Sequence, residues 1–234
     1  MNSLLSFVDT IIVLDTETTG LSPVRDEIIE IGAARLRRNG ESYVPDGELS
    51  FLVKLSPGRS LPYEIVRLTG ITEDMLCSRG ISKEDAADRF SDFIGGEKVL
   101  IVAYNAQFDL NFLYYFLRRC DRADCLKGRL FLDALTVFRD RRPYPHRLEN
   151  AIEAYHLENA VNNHRALDDA NATLLLLQAM GEEKDDLSEY IDLFGIHPRF
   201  GVSGKRVRSI RYFPQPYGEH PPLYELADAQ IDRS

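Results

Sequence analysis

Residues 8–20 read VDTIIVLDTETTG, a β-branched and aliphatic run that ends in two threonines and a glycine. Such a run predicts a buried strand over Val8–Thr16, and the Thr-Thr-Gly triplet predicts its end. Two more runs of this character follow at Ile28–Leu36 and Phe51–Leu55, with the turn pair Asn39-Gly40 between them. Three successive strands joined by short polar breaks predict an antiparallel meander.

Beyond residue 81 the apolar residues change from strand spacing to helical spacing. Ser82 is a candidate N-cap for a helix that ends at Phe93, and Val99–Ala103 has the unbroken apolar character of a strand buried on both faces. The remaining expected elements are a strand at 130–132 and helices near 110–117, 134–139, 148–155 and 166–180. The sequence therefore predicts an α/β fold, in which a mixed five-stranded sheet with its first three strands antiparallel is flanked by helices.

Length and composition are those of an ordinary globular protein. The chain has 234 residues, of which 44% are apolar and 28% charged, and this excludes disordered and fibrous classes. After Met180 an acidic stretch is followed by a basic stretch and then by four prolines. We therefore expect one domain over residues 1–180 and a C-terminal extension of unassigned role over residues 181–234.

Charge and cysteine content restrict the classes of partner and compartment. Lysine and arginine number 28 against 37 acidic residues, and the net charge of −9 argues against coating of nucleic acid by bulk electrostatics. A negative net charge does not exclude a local site that binds a few phosphates. Three cysteines are too few for a disulfide framework.

The first aliphatic run, Ile11–Leu14, is too short to span a membrane, and no signal peptide precedes it. We therefore expect a cytoplasmic protein.

Two carboxylates lie at the end of the first predicted strand. Asp15 and Glu17 are two residues apart, so their side chains point to one face of the strand. Burial and mutual repulsion oppose the charge on both, and a divalent cation would relieve both penalties. The alternative interpretation is a pair of solvated acids before a turn, which is the commoner situation for an isolated Asp-x-Glu.

Two further polar clusters follow predicted elements of the same sheet. Asn105–Asp109 comes directly after the buried strand, and His164–Asp169 opens the last predicted helix. Either cluster alone is explained by helix capping and first-turn acids. All three clusters lie at strand ends or helix starts, however, where α/β sheets bind ligands, and together they predict one site.

The three clusters resemble a known signature. Asp-x-Glu-Thr-Thr-Gly at 15–20, Asn-Ala-x-Phe-Asp at 105–109 and His-x4-Asp at 164–169 are similar to the three motifs of DnaQ-like (DEDDh) 3′–5′ exonucleases. The resemblance covers about residues 8–180. It includes the Gly-Ile-Thr element within Leu68–Thr72, and Asp133–Leu135 where alanine replaces the usual threonine.

The resemblance implies an RNase H-like fold and a role for each matching position. It implies that Asp15, Glu17, Asp109 and Asp169 bind two Mg²⁺ or Mn²⁺ ions and that His164 is the general base. It also implies that Thr18, Leu21 and Phe108 contact the terminal nucleotide. Oxygen-rich ligands suit these hard cations, and histidine titrates near neutral pH, so the residue types fit the implied roles.

The implied reaction is metal-dependent 3′–5′ hydrolysis of single-stranded nucleic acid, releasing nucleoside 5′-monophosphates. The Thr18-Thr19-Gly20 form resembles the polymerase-linked branch, which includes the epsilon subunit of DNA polymerase III. It therefore favours DNA, proofreading in DNA replication, and a polymerase or a replication or repair protein as partner. The alternatives are an exoribonuclease similar to RNase T or oligoribonuclease, and a catalytically silent nucleic-acid-binding module. A phosphatase with a nucleophilic aspartate would carry Asp-x-Asp, from which Glu17 departs.

The basic segment Lys205–Arg211 lies outside the resemblance. Its cations, with the nearby Tyr212, Phe213 and Tyr217, suit either a surface that tracks a nucleic-acid strand or a contact with a partner. The sequence alone leaves both interpretations open.

Overall fold

A mixed five-stranded sheet forms the centre of the molecule in the computed structural model, which describes residues 1–231. In space the strands have the order β3-β2-β1-β4-β5. Antiparallel pairing joins β1 to β2 and β2 to β3, whereas β4 is parallel to both β1 and β5. The strands are β1 (Thr10–Thr18), β2 (Ile28–Asn39), β3 (Ser42–Leu52), β4 (Val99–Ala103) and β5 (Leu130–Asp133). This arrangement confirms the predicted fold class.

The third strand is not where the sequence predicts it. The expected strand Phe51–Leu55 overlaps β3 only at Phe51 and Leu52, because β3 begins at Ser42, directly after the Asn39-Gly40 turn. Most of β3 is polar and exposed, as an edge strand can be, and its pairing with β2 shifts register between Pro45 and Glu48, around Gly47. Its conformation comes from pairing with β2 rather than from its own apolar residues.

Eight helices pack around this sheet, and none of these described helices is long and apolar enough to cross a membrane. Ser82 caps the third helix as predicted, since its hydroxyl accepts a hydrogen bond of 3.0 Å from the backbone N–H of Asp85. The helices are α1 (Tyr63–Thr69), α2 (Glu73–Arg79), α3 (Lys83–Phe93), α4 (Ala106–Arg119), α5 (Ala134–Arg141), α6 (Leu148–Ala154), α7 (Ala166–Glu183) and α8 (Leu223–Ile231).

The two faces of the sheet bury separate cores. Along β1, Ile12 and Leu14 pack with α3 and α4, whereas Ile11 and Val13 pack with α5 and α7. This alternation is the period of two of a strand buried on both faces. It follows that odd-numbered residues at the end of β1 face α7 and even-numbered ones face α4.

Residues 181–231 pack on both of these cores. The helix α7 continues past Met180 to Glu183, and a parallel pair of strands, β6 (Leu193–Ile196) and β7 (Arg211–Pro214), follows it. Leu193 joins the core beneath α7, and Phe194 joins the core beneath α4. The part of the extension that the structure describes is therefore integrated with the rest of the fold.

Candidate active site

The end of β1 supplies two carboxylates on the face that α7 covers. Asp15 pairs across the ladder with Gly32 of β2, and Glu17 pairs with Glu30. A register shift follows between Glu17 and Thr18. Because β1 is buried in the middle of the sheet, these acids are held at the carboxyl end of a rigid strand.

The start of α4 supplies the third acid from the opposite face. Asp109 lies in the first turn of α4 and is 2% exposed, and it accepts a hydrogen bond of 2.7 Å from the hydroxyl of Thr16. Asn105 precedes the helix in the left-handed conformation, with φ of 67°, which asparagine tolerates better than most residues. The chain can therefore turn sharply from β4 into α4 and place Asp109 beside β1.

Asp133, in the Asp-Ala-Leu stretch at the end of β5, holds the helices next to the site in place. One of its carboxylate oxygens accepts from the backbone N–H of Ala106 at 3.0 Å, and the other accepts from the hydroxyl of Thr136 at 2.7 Å. These bonds join the end of β5 to the starts of α4 and α5. Asp133 thus positions the helix that carries Asp109.

The start of α7 brings His164 and Asp169 to the same place. Glu30, buried within β2, forms an ion pair with Arg165 in which Nη2 and Oε1 are 2.6 Å apart. The same carboxylate accepts from the backbone N–H of Ala166 at 3.0 Å. The first turn of α7 is therefore fixed to the sheet directly after His164, which has a φ of 57°.

Gly32 allows this helix to approach the sheet closely. A Cβ atom at position 32 would lie 2.1 Å from the backbone nitrogen of Leu167 and 2.2 Å from the backbone carbonyl carbon of Ala166. Only glycine leaves room for backbone at such distances. Since Gly32 is the ladder partner of Asp15, this close packing sets the distance between Asp15 and the acid on α7.

The predicted acids and the histidine meet in one cluster. Glu17, His164 and Asp169 each offer a ligand atom within 4.8 Å of the others. Asp15 is near enough to Asp109, Glu17 and Asp169 for their charges to act on it. The structure thus brings together all five residues that the sequence singles out for catalysis and metal binding.

Burial and mutual repulsion make the cluster receptive to cations. Burial, reinforced by the charges of Asp109 and Glu17, raises the pKa of Asp15 well above its usual range. Burial followed by the charge of Asp169 raises the pKa of Glu17 to about 8. Burial likewise raises the pKa of Asp109 to about 7 and that of Asp169 to about 6. Divalent cations with oxygen ligands would neutralise these carboxylates, so the donor set fits Mg²⁺ or Mn²⁺.

The three residues expected at the terminal nucleotide differ in exposure. Leu21 is 86% exposed, in the loop directly after β1. Thr18 is buried, and its hydroxyl donates to the carbonyl of Gly20 at 2.7 Å, which shapes that loop. Phe108 is half-buried against Phe112, with ring centroids 4.8 Å apart. Leu21 is the one of the three whose side chain is largely free to contact a ligand.

Sequence reasoning missed the supports of the site, namely Thr16, Glu30, Gly32 and Arg165. A signal for Glu30 was present, because a charged residue inside the apolar run 28–34 needs a partner. The identity of that partner required the fold, since Arg165 lies 135 residues away along the chain.

Comparison with known proteins places this arrangement in a family. Residues 12–177 match the RNase_T family, described as exonuclease. The chain is 35% identical over 187 residues to the PolC-type DNA polymerase III of Clostridium perfringens, covering 77% of this chain and 12% of that protein. It is 34% identical over 168 residues to the DNA polymerase III epsilon subunit of Treponema pallidum, covering 71% of this chain and 74% of that protein.

Solved structures share the fold. Exonuclease I of E. coli, in complex with a dT13 oligonucleotide, superimposes with a TM-score of 0.68 at 22% identity, over 78% of this chain and 43% of that one. The exonuclease I of Methylocaldum szegediense gives a TM-score of 0.65 at 22% identity, over 76% of this chain and 42% of that one. The PolC-type relatives are far longer, and this chain spans about an eighth of the first of them. The family match covers most of the chain, and the chain belongs to the RNase_T family of exonucleases.

Proposed function

We propose that this protein is a metal-dependent 3′–5′ exonuclease that releases nucleoside 5′-monophosphates from single-stranded DNA. The observation that carries the proposal is the convergence of Glu17, His164 and Asp169 within 4.8 Å, beside the half-buried Asp15 and the buried Asp109. Repelling carboxylates held at one strand end by two helices have no structural benefit of their own. They suit a site that binds cations and, through them, a phosphate.

Each residue of the cluster has a proposed task in the hydrolysis. Asp15, Glu17, Asp109 and Asp169 would hold two Mg²⁺ or Mn²⁺ ions. The bound ions would lower the pKa of the attacking water and neutralise charge on the scissile phosphate. His164 accepts the proton of that water as its oxygen attacks phosphorus and the bond to the 3′ oxygen breaks. Phosphoryl transfer of this kind needs positioning and charge neutralisation, and no nucleophilic side chain.

The terminal nucleotide is proposed to bind between the first loop and the start of α4. Leu21 would pack on the terminal base, because its exposed apolar side chain stands beside the end of β1. Thr18 would contact the nucleotide through its backbone, and Phe108 would line the pocket from α4. Readout by apolar contact and backbone explains how one site could accept any base.

DNA is the proposed polymer, with a DNA polymerase or another replication or repair protein as partner. This choice is supported by the polymerase III relatives and by the Thr18-Thr19-Gly20 form at the end of β1. Residues 1–180 are proposed to hold the active site, and the following residues to complete the cores that support it. All five cluster residues lie within residues 1–180, and the family match ends at residue 177.

The test is degradation of single strands labelled at the 3′ or the 5′ end, as DNA and as RNA, with Mg²⁺ or Mn²⁺ and an EDTA control. We expect the 3′ label to appear as mononucleotide and the 5′-labelled strand to give a descending ladder, faster on DNA. Asp169→Asn should abolish this cleavage, whereas Asp168→Asn, one residue away on α7, should retain most of it.

Three results would contradict the proposal. Release of the 5′ label first would show that hydrolysis starts at the 5′ end of the strand. A clear preference for RNA would move the protein to the exoribonuclease branch. No cleavage of either polymer by the wild-type protein would indicate a binding module with a nuclease fold.

A further inference from the structure

A groove rich in basic residues runs along the outer side of α4. It has a volume of about 910 Å³ and is bounded by α4, by the loop before β5 and by residues 205–209 of the C-terminal extension. We call it the basic groove, and its cationic lining residues are Arg118, Lys127, Arg129, Lys205, Arg206 and Arg208. Asp124 is the acid in this lining, and it is paired with Lys127 at 2.8 Å.

Hydrogen bonds fix the extension along α4, beginning next to the acid cluster. The side-chain amide nitrogen of Gln107, two residues before Asp109, donates to the backbone carbonyls of Ser203 and Lys205 at 3.0 and 2.8 Å. One turn further, Asn111 accepts from the backbone N–H of Lys205 at 2.8 Å. These bonds hold the segment in register with the helix, so its side chains have a defined place along α4.

Most of the cations in the basic groove are available to a ligand. Within residues 1–231, Arg118, Arg206 and Arg208 are exposed and form no ion pair. Lys205 is also exposed, with its ammonium 3.7 Å from the ring centroid of Tyr114. In a chain with a net charge of −9, this concentration of unpaired positive charge on one surface favours a polyanionic ligand.

We propose that the basic groove binds the single-stranded DNA that lies upstream of the 3′ end being hydrolysed. The proposal rests on the exonuclease function proposed above and adds the path of the substrate. Helix α4 links the two sites, because it rises about 1.5 Å per residue and thus carries the groove from Asp109 to Arg118 over about 14 Å. The span corresponds to a few nucleotides.

The extension therefore has a function that the acid cluster cannot supply. The cluster holds one phosphate at the reacting end, whereas the basic groove would hold the backbone behind it without reading its sequence. Affinity should then depend on strand length and fall steeply with salt, since each phosphate contact contributes about 0.7 to the slope of log K against log salt for single strands.

The decisive experiment compares a double charge reversal in the groove with a matched one elsewhere. Arg206→Glu with Arg208→Glu changes the net charge as much as Arg67→Glu with Arg79→Glu. Arg67 and Arg79 are also exposed, on α1 and α2, and neither lines the basic groove. Binding of a 5′-labelled sixteen-nucleotide dT strand is measured by fluorescence anisotropy in EDTA, which prevents hydrolysis, over a series of salt concentrations.

We expect the groove variant to bind the strand at least tenfold more weakly, with a salt slope reduced by about 1.4 for two lost contacts. The control variant should bind within twofold of wild type. With Mn²⁺, the groove variant should lose at least ten times more activity on the sixteen-nucleotide strand than on a dinucleotide.

Equal strand binding by the two variants would overturn the proposal and leave an acidic protein surface as the candidate for this groove. Equal loss on the strand and the dinucleotide would also overturn it, because the segment would then only support the acid cluster. If the wild-type protein degraded nothing, the proposed exonuclease function would fail, and the comparison in EDTA would still decide whether the groove binds the strand.

Discussion

The folded protein disfavours the ionised form of the Glu17 side chain. Burial and the charges of Asp169 and Glu30 raise its pKa to about 8, against an ordinary value of 4.5. Between these two pH values the folded chain binds a proton that the unfolded chain has lost. Stability of the metal-free protein therefore decreases as the pH rises from about 4.5 to about 8.

Replacing Glu17 by glutamine removes this penalty together with one proposed metal ligand. In EDTA at pH 8, E17Q should melt at least about 3 °C above the wild-type protein, and the difference should shrink towards pH 5. With Mn²⁺ the order should reverse, because the wild-type protein gains binding energy that E17Q largely loses. Differential scanning fluorimetry over pH, with and without Mn²⁺, measures both effects. A lower melting temperature for E17Q in EDTA would show that the carboxylate is structural.

His164 can be tested without disturbing the backbone that presents it. Its φ of 57° is unfavourable for alanine but tolerated by asparagine, so H164N separates the imidazole from the conformation. We expect H164N and H164A both to lower kcat by about 100-fold or more, with a smaller change in Mn²⁺ affinity. Steady-state kinetics with a Mn²⁺ titration checks this. Full activity in H164N would remove the general base from the mechanism.

At the scale of single residues, the sequence indicates the proposed reactive residues better than the residues that hold them in place. Asp15, Glu17, Asp109, His164 and Asp169 stand in short motifs whose chemistry is visible locally. The bond from Thr16 to Asp109 joins residues 93 positions apart, and no local pattern predicts it. The assignment of roles to the five residues stays a prediction until the variants are measured.

At the level of elements, the contact between β2 and α7 determines the geometry of the site. Gly32→Ala would place a methyl group about 2 Å from the backbone of Ala166 and Leu167, and neither backbone atom can move without shifting the start of α7. We expect a loss of stability of about 1–3 kcal/mol and a loss of activity larger than the stability change explains.

A comparison within the same strand checks this prediction. Ala33→Ser also adds one heavy atom to a buried residue of β2. Because alanine already has a Cβ, this change places no new atom next to the backbone, whereas Gly32→Ala does. Urea unfolding should show a comparable loss of stability in the two variants, whereas activity should fall mainly in Gly32→Ala. Equal activity in both would mean that the start of α7 can adjust without moving Asp169.

Elements were predictable where their own residues determine them. The strand β4 was predicted with its observed bounds because five successive residues are buried, and α3 because its cap and apolar face are local. Most of β3 was missed, since its residues are exposed and follow β2 through pairing. The seven-residue helices α1 and α2 were also missed, because short helices depend on tertiary packing, here around Ile71 and Leu76.

At the scale of the whole molecule, the C-terminal extension completes both cores. Composition suggested an appendage after Met180, yet Leu187, Tyr190 and Leu193 are buried beneath α7, and Phe194 and Ile210 are buried on the other face of the sheet. Side chains of this size contribute about 2–5 kcal/mol each when truncated to alanine, and a domain is stable by only about 5–15 kcal/mol in total.

Truncation after Met180 should therefore yield a chain that does not fold cooperatively, although every proposed catalytic residue is retained. The expected result is loss of the thermal transition and rapid proteolysis. Point variants separate this effect from the shortening itself. Phe194→Ala, at a residue 2% exposed, should cost about 3–5 kcal/mol, whereas Phe200→Ala, at a residue 74% exposed, should cost less than about 0.5 kcal/mol. A truncated chain that melts cooperatively near the wild-type temperature would show that the extension packs on a core that is already complete, and would restrict its contribution to the basic groove.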